Sequence, residues 1–103
     1  MSIVELANPV GPVIRAGQIA DAVALAIEDD NPNKLVRVTD RGDYVRIEVD
    51  GRCRLTRQSL ERHVGHEFPL AQLEIEMPSF AGRLSTQTEE YTWYFENLGA
   101  NHE

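Results

Sequence analysis

The chain has a single cysteine, Cys53, so no intrachain disulfide can form, and this scarcity fits a reducing compartment. No apolar run approaches the roughly 18 residues that a membrane span needs. Residues Met1 to Asn8 lack the basic flank and apolar stretch of a signal peptide. These absences predict a cytoplasmic protein with no membrane partner. Positive charge is scarce as well: 10 Lys and Arg stand against 17 Asp and Glu, for a net charge of −7. Such a chain repels phosphate backbones, so nucleic acid is not the expected partner. Glycine-rich phosphate loops are missing too, since Gly11 and Gly17 match neither dinucleotide nor P-loop spacing.

Reactive groups at useful spacing are equally few. His63, His66 and Glu67 form a His-x-x-His-Glu string, but Gly65 falls between the histidines and is placed to end a helix there. The two imidazoles are therefore not expected to share a metal-binding face. His102 lies in the polar C-terminal stretch. Cys53 has no paired base evident nearby and reads as a small buried hydrophobe rather than a nucleophile. Glu48, Glu74 and Glu76 alternate with apolar residues and so point outward, with no spacing that singles out an acid–base pair. The expectation is no catalytic residue, no metal and no cofactor.

What is present is patterned for one α+β domain. A length of 103 residues fits a single core. Residues 1–9 read as a mobile tail ending in the turn signal Asn8-Pro9, residues 10–97 as the domain, and residues 98–103 as a polar tail. Val10 to Arg15 is a first strand, at an edge or beginning there because Pro12 lacks a backbone donor. Ile19, Ala22, Val23, Ala26 and Ile27 recur at spacings of three and four, which predicts a helix over Gln18 to Asp30. Asn31-Pro32 ends it. Its last residues, Glu28, Asp29 and Asp30, meet the negative pole of the helix and read as a solvated charge run.

Lys34 to Asp40 and Tyr44 to Asp50 predict a hairpin across Arg41-Gly42-Asp43. Asp50-Gly51 turns into a short strand, Arg52 to Leu55. Thr56 is a good N-cap for a second helix over Arg57 to Val64. Leu73, Ile75 and Met77 alternate with Glu74 and Glu76, which predicts a half-buried strand. Phe80 to Leu84 predicts another, with Gly82 marking a bulge or a close approach. Tyr91, Trp93 and Phe95 alternate in the last strand. The order suggests a roughly duplicated β-α-β-β plan, with two helices packed on mainly antiparallel sheets. An acidic α+β domain without an active site favours a protein-binding module over an enzyme.

Several segments carry a resemblance when taken together. They are Val10-Gly-Pro-Val-Ile-Arg-Ala-Gly17, the helix closing in Asp30-Asn-Pro-Asn-Lys34, then Asp43-Tyr-Val-Arg-Ile47, Arg54-Leu-Thr-Arg57 and Met77-Pro-Ser-Phe-Ala-Gly-Arg83. Their order and spacing resemble the effector (regulatory, or coupling) proteins of soluble bacterial multicomponent diiron monooxygenases. The toluene and phenol hydroxylase branch is the nearer one, and the methane monooxygenase regulatory component is a more distant relative. The resemblance implies a cofactor-free, non-catalytic protein that docks on the large subunit of a diiron hydroxylase. There it tunes active-site geometry, access of substrate and oxygen, and the coupling of electron delivery to hydroxylation. A Rieske-type ferredoxin and a reductase are the other implied components. A generic non-catalytic adaptor of another complex is the alternative.

Two segments are expected to carry the docking. One is Asn8 to Arg15, with Asn8, Val10, Gly11, Pro12 and Arg15. The other is Ser79 to Arg83, with Ser79, Phe80, Gly82 and Arg83. Both interrupt regular structure with Pro or Gly, which lets a backbone approach a partner closely.

Overall fold

In the computed structural model, residues 5–96 are described; the first four residues of the expected N-terminal tail and the whole expected C-terminal tail, 98–103, lie outside them. The first half runs β1 (Pro9–Arg15), α1 (Gln18–Asp30), β2 (Val36–Asp40) and β3 (Tyr44–Asp50). Alternation governs β3: Val45, Ile47 and Val49 are buried, while Tyr44 and Arg46 are exposed. Helix α1 buries Ala22, Val23, Ala26 and Ile27 as its spacing predicts, together with Ala20, while Ile19 packs only partly against the core. Asn8 and Pro9, assigned above to the tail, are tied in. The Asn8 N–H donates to Asp50 Oδ1 at 2.8 Å, the Asn8 carbonyl accepts from Gly51 N–H at 2.8 Å, and Pro9 already pairs with Asp50.

The second half runs β4 (Arg52–Thr56), α2 (Arg57–Val64), a 3-10 turn (Leu70–Gln72), α3 (Leu73–Glu76), β5 (Ser79–Ala81), β6 (Arg83–Thr86) and β7 (Glu90–Tyr94). Thr56 caps α2 as expected, its hydroxyl accepting from Ser59 N–H at 3.2 Å. Gly65 closes the helix in the left-handed region, its N–H donating to the Glu61 carbonyl.

Two expectations need correction here. Leu73 to Met77 is helical rather than a strand. The Pro69 carbonyl accepts from Gln72 N–H at 2.9 Å and starts a helical turn. The buried positions are then Leu70 and Leu73, with Met77 packed partly behind them, a spacing of three and four. Ile75, which the alternating pattern put inside, is 75% exposed. Phe80 to Leu84 is likewise two strands, β5 and β6, that belong to different sheets. Gly82 lies between them at φ +92°, where an added Cβ would sit 2.6 Å from Val10 Cγ1 and 2.8 Å from the Tyr94 carbonyl oxygen. The predicted close approach is there, and its purpose is a change of sheet. The last strand also begins one residue early, leaving Phe95 outside it.

The sheets have the orders β2-β3-β1-β5 and β4-β7-β6, and every pair is antiparallel. The duplication is visible in this pairing. In each half the first strand pairs with the last, and the last pairs with the one before it. Strand β5 is the addition, and it joins the first sheet beside β1. Both sheets and the helices share one core, which includes Val10, Ile14, Ile27, Ile47, Leu55, Leu60, Leu73 and Trp93. Among the described residues no helix is long and apolar enough to cross a membrane.

Candidate docking surface

Of the acids that end α1, Glu28 is exposed as expected, but Asp29 and Asp30 are engaged rather than simply solvated. Asp30 reaches the start of α2, where it accepts from Thr56 N–H at 2.7 Å, from the Thr56 hydroxyl at 3.0 Å and from the Ser59 hydroxyl at 2.6 Å. Negative charge there meets the positive pole of α2. Asp29 lies 3.1 Å from Arg62 and 2.7 Å from His63 Nε2. The next residue, Asn31, is buried, and its amide bonds both backbone groups of Arg54. Lys34 Nζ donates to the carbonyls of Asp50 and Arg52. The segment Asp30 to Lys34 thus plugs the outer edge of β4, and an unplugged edge invites pairing with another chain. Its place among the resembling motifs has a structural reason.

No reactive centre emerges among these groups. His63 is engaged with Asp29, and His66 Nδ1 lies against the Glu67 carbonyl. Among the described residues no three His, Cys, Asp or Glu side chains converge as a metal site. Cys53 is buried, and that burial pushes its thiol up to about 12, so it remains protonated and unreactive at neutral pH. It packs as a small hydrophobe.

The two segments expected to dock are neighbours in space. Strands β1 and β5 pair antiparallel, with Gly11 opposite Ala81, Pro12 opposite Phe80 and Val13 opposite Ser79. Opposed residues share a face of the sheet. Val10, Pro12 and Ile14 face the core and are buried. Phe80 lies on that same side but at the open edge, and it is 42% exposed. Gly11, Val13, Arg15, Ser79 and Ala81 lie on the other side, with Arg46 and Glu48 of β3 and Arg37 and Thr39 of β2.

The expected set therefore divides. Val10 and Pro12 are core residues whose side chains a partner cannot reach. Gly11 is buried in the sheet at φ +147°, and a Cβ there would collide with the Ile47 carbonyl. Arg15, Ser79, Gly82 and Arg83 are exposed. Arg83 is held by Glu96 at 2.9 Å, and Asn8 is fixed by Asp50 and Gly51. Sequence reasoning missed the arginines of β2 and β3, because only the strand register shows that they share a face with Arg15 and Ser79.

With this geometry in view, the chain can be set beside known proteins. It is 56% identical over 90 residues to the effector subunit of an alkene monooxygenase system from Xanthobacter autotrophicus, an alignment that spans 87% of this chain and 89% of that one. The fold matches the structure of a phenol hydroxylase–regulatory protein complex, with a TM-score of 0.74, 19% identity, and coverage of 86% of this chain and 100% of that one. It also matches the soluble methane monooxygenase regulatory protein B, with a TM-score of 0.65, 21% identity, and coverage of 97% of this chain and 74% of that one. These relatives are named as effector and regulatory proteins, not as catalytic components. Residues 8–94 match the MmoB/DmpM family, to which this chain belongs.

Proposed function

We propose that the chain is the effector subunit of a multicomponent monooxygenase: a non-catalytic, cofactor-free protein that binds the large subunit of a diiron hydroxylase. The observation that carries this reading is the 56% identity to an effector subunit over 89% of that protein's length. An effector of this kind acts by binding one conformation of its partner better than another, which shifts the partner's population. By that route it alters active-site shape, gates substrate and oxygen, and couples electron delivery to product formation. A Rieske-type ferredoxin and a reductase complete the system. Docking uses the exposed members of the two paired segments, namely Arg15, Ser79, Phe80, Gly82 and Arg83, while Val10, Gly11 and Pro12 set the strand that carries them.

The substrate belongs to the partner. The motif resemblance favours an aromatic of the toluene or phenol type, whereas the 56% identical relative, from an alkene system, favours an alkene. Reconstitution of the chain with hydroxylase, ferredoxin and reductase tests both points. The chain should raise product formed per reductant consumed and should turn over nothing alone. Parallel assays with a short alkene and with toluene separate the two substrates. Turnover and coupling that ignore the chain would sink the proposal and leave a generic adaptor.

A further inference from the structure

The first sheet turns one face to the helices and core. Its opposite face combines two features, a centre of small side chains and a frame of arginines. Its middle is built from small side chains, Gly11 and Val13 on β1 and Ser79 and Ala81 on β5. Around them stand Arg15 on β1, Arg46 on β3, Arg37 on β2 and Arg41 in the β2–β3 turn. The face carries two carboxylates, the buried Glu48 and, at the far end of β3, Asp50, whose Oδ1 accepts from the Asn8 N–H. Asp40 pairs with Val45 and so belongs to the opposite side, and Asp43 shares the turn with Arg41, which leaves the four arginines in excess over Glu48, Asp50 and Asp43. An excess of positive charge is thus gathered on one flat surface of a chain whose net charge is −7.

One explanation of the arginines is structural. Glu48 is buried, and a buried carboxylate needs a partner. Arg37 supplies it, with Nε at 3.1 Å and Nη2 at 2.9 Å from Glu48 Oε1. Arg46 adds a longer contact of 3.8 Å to Oε2. That need is met by one or two guanidinium groups, and the face has four. Arg37 also commits only two of its five N–H donors to Glu48. The buried carboxylate therefore acts as an anchor that holds Arg37 in place beside Arg46, with donors to spare.

We propose that this arginine-framed sheet face is the surface that meets the hydroxylase, and that its counterpart there is an acidic protein surface rich in Asp and Glu. The inference rests on the effector reading above. Guanidinium groups match carboxylates in a planar, two-pronged geometry, and the small residues at the centre let a partner backbone lie close. A duplex or an anionic bilayer offers phosphates instead, but either would also confront the excess acid on the rest of the chain.

The test compares Arg15→Glu and Arg46→Gln with Arg62→Gln, a control on α2. Each variant is first checked for an unchanged thermal midpoint. Affinity for the purified hydroxylase is then titrated at low and high ionic strength, with coupled turnover in parallel. Arg15→Glu should weaken binding by about tenfold at low salt and by less at high salt, because exposed charge pairs are screened. Arg46→Gln should follow in the same direction, and Arg62→Gln should match the wild type. Should the wild type bind and activate while both face variants equal the control, the arginine face is wrong and the effector reading stands. Should the wild type neither bind nor activate, the effector reading falls and takes this proposal with it. Binding of phosphatidylserine vesicles or duplex DNA that the face variants abolish, with hydroxylase affinity unchanged, would overturn the acidic-protein partner.

Discussion

Asn31 holds both backbone groups of Arg54: its Nδ2 donates to the Arg54 carbonyl at 2.8 Å, and its Oδ1 accepts from the Arg54 N–H at 3.0 Å. The same Nδ2 reaches the Ile27 carbonyl at 2.7 Å and so also closes the last turn of α1. One side chain thereby ends a helix and takes the place of a neighbouring strand. Asn31→Ala leaves these groups without that partner, for an expected loss of about 2 kcal/mol in urea unfolding. It also opens the β4 edge, so light scattering should report stronger self-association than in the wild type. A variant as stable and as monodisperse as the wild type would show that the plug is dispensable.

Gly82 is the point where the chain leaves one sheet for the other. Its positive φ disfavours any side chain, and a Cβ would press on Val10 and on the Tyr94 carbonyl. Gly82→Ala should cost about 3 kcal/mol, because neither the strain nor the overlap can be relieved locally. Gly42, also at positive φ but with nothing within 4 Å of an added Cβ, supplies the comparison. Its Ala variant carries the strain without the overlap and should lose less. Equal losses at the two sites in thermal unfolding would remove the packing argument.

The two faces of α1 should respond oppositely to truncation. Ile27 is fully buried, and Ile27→Ala should cost about 2–4 kcal/mol through the cavity it leaves. Leu25, on the same helix, is 47% exposed, and Leu25→Ala should stay within about 0.5 kcal/mol. Chemical denaturation of the two variants reads the difference directly.

Stability should decline at both ends of the pH scale for identifiable reasons. The Phe68 backbone N–H and then Arg57 hold Glu61 below the ordinary carboxylate value of 4.5. Arg54 does the same for Glu90. A depressed folded pKa means stability that is present above the unfolded value and lost as pH falls through the folded one. Glu61→Gln should therefore flatten the acid limb below about pH 4.5. Tyr91 behaves in the opposite sense. Burial, and then the hydrogen bond to Glu74, push its phenol up to about 12 from an ordinary value of 10. That contribution is complete below 10 and is lost as pH climbs toward 12. Ultraviolet titration should show a tyrosinate step near 12 that Tyr91→Phe removes.

Local pattern carried much of this architecture. Helix α1, strand β3 and the Thr56 cap follow from spacing and residue type within a few positions of one another. Segment 70–77 misled because Leu73, Ile75 and Met77 satisfy a period of two, while Leu70, Leu73 and Met77 satisfy a helical one. The decisive residue, Leu70, lay outside the stretch that alternates. The links from Asp30 and Asn31 to β4 and α2 join residues 23 to 29 positions apart, which no local rule reaches. The two segments proposed to dock were legible as motifs. Their division between two faces was not, since facing depends on the β1–β5 register. The same holds for Arg37 and Arg46.

Phe80 decides whether the open edge of the first sheet takes part in docking. It sits on β5 opposite Pro12, on the core side of the sheet, yet it is 42% exposed because β5 is the edge strand. A half-exposed aromatic beside a switch glycine has two possible roles. It can shield Pro12 and Val10 from water, or it can anchor a partner, as interface aromatics often do. The two roles predict different outcomes for Phe80→Ala. As a shield, its loss costs several kcal/mol of stability, and any loss of activity follows from unfolding. As an anchor, the thermal midpoint stays near that of the wild type, affinity for the hydroxylase falls by about 2 kcal/mol, and product formed per reductant falls with it. The exposure favours the anchor. Isothermal titration and a melting curve on the same sample separate the outcomes. A folded Phe80→Ala protein with wild-type affinity and coupling would confine docking to the arginine-framed face on the other side of the sheet.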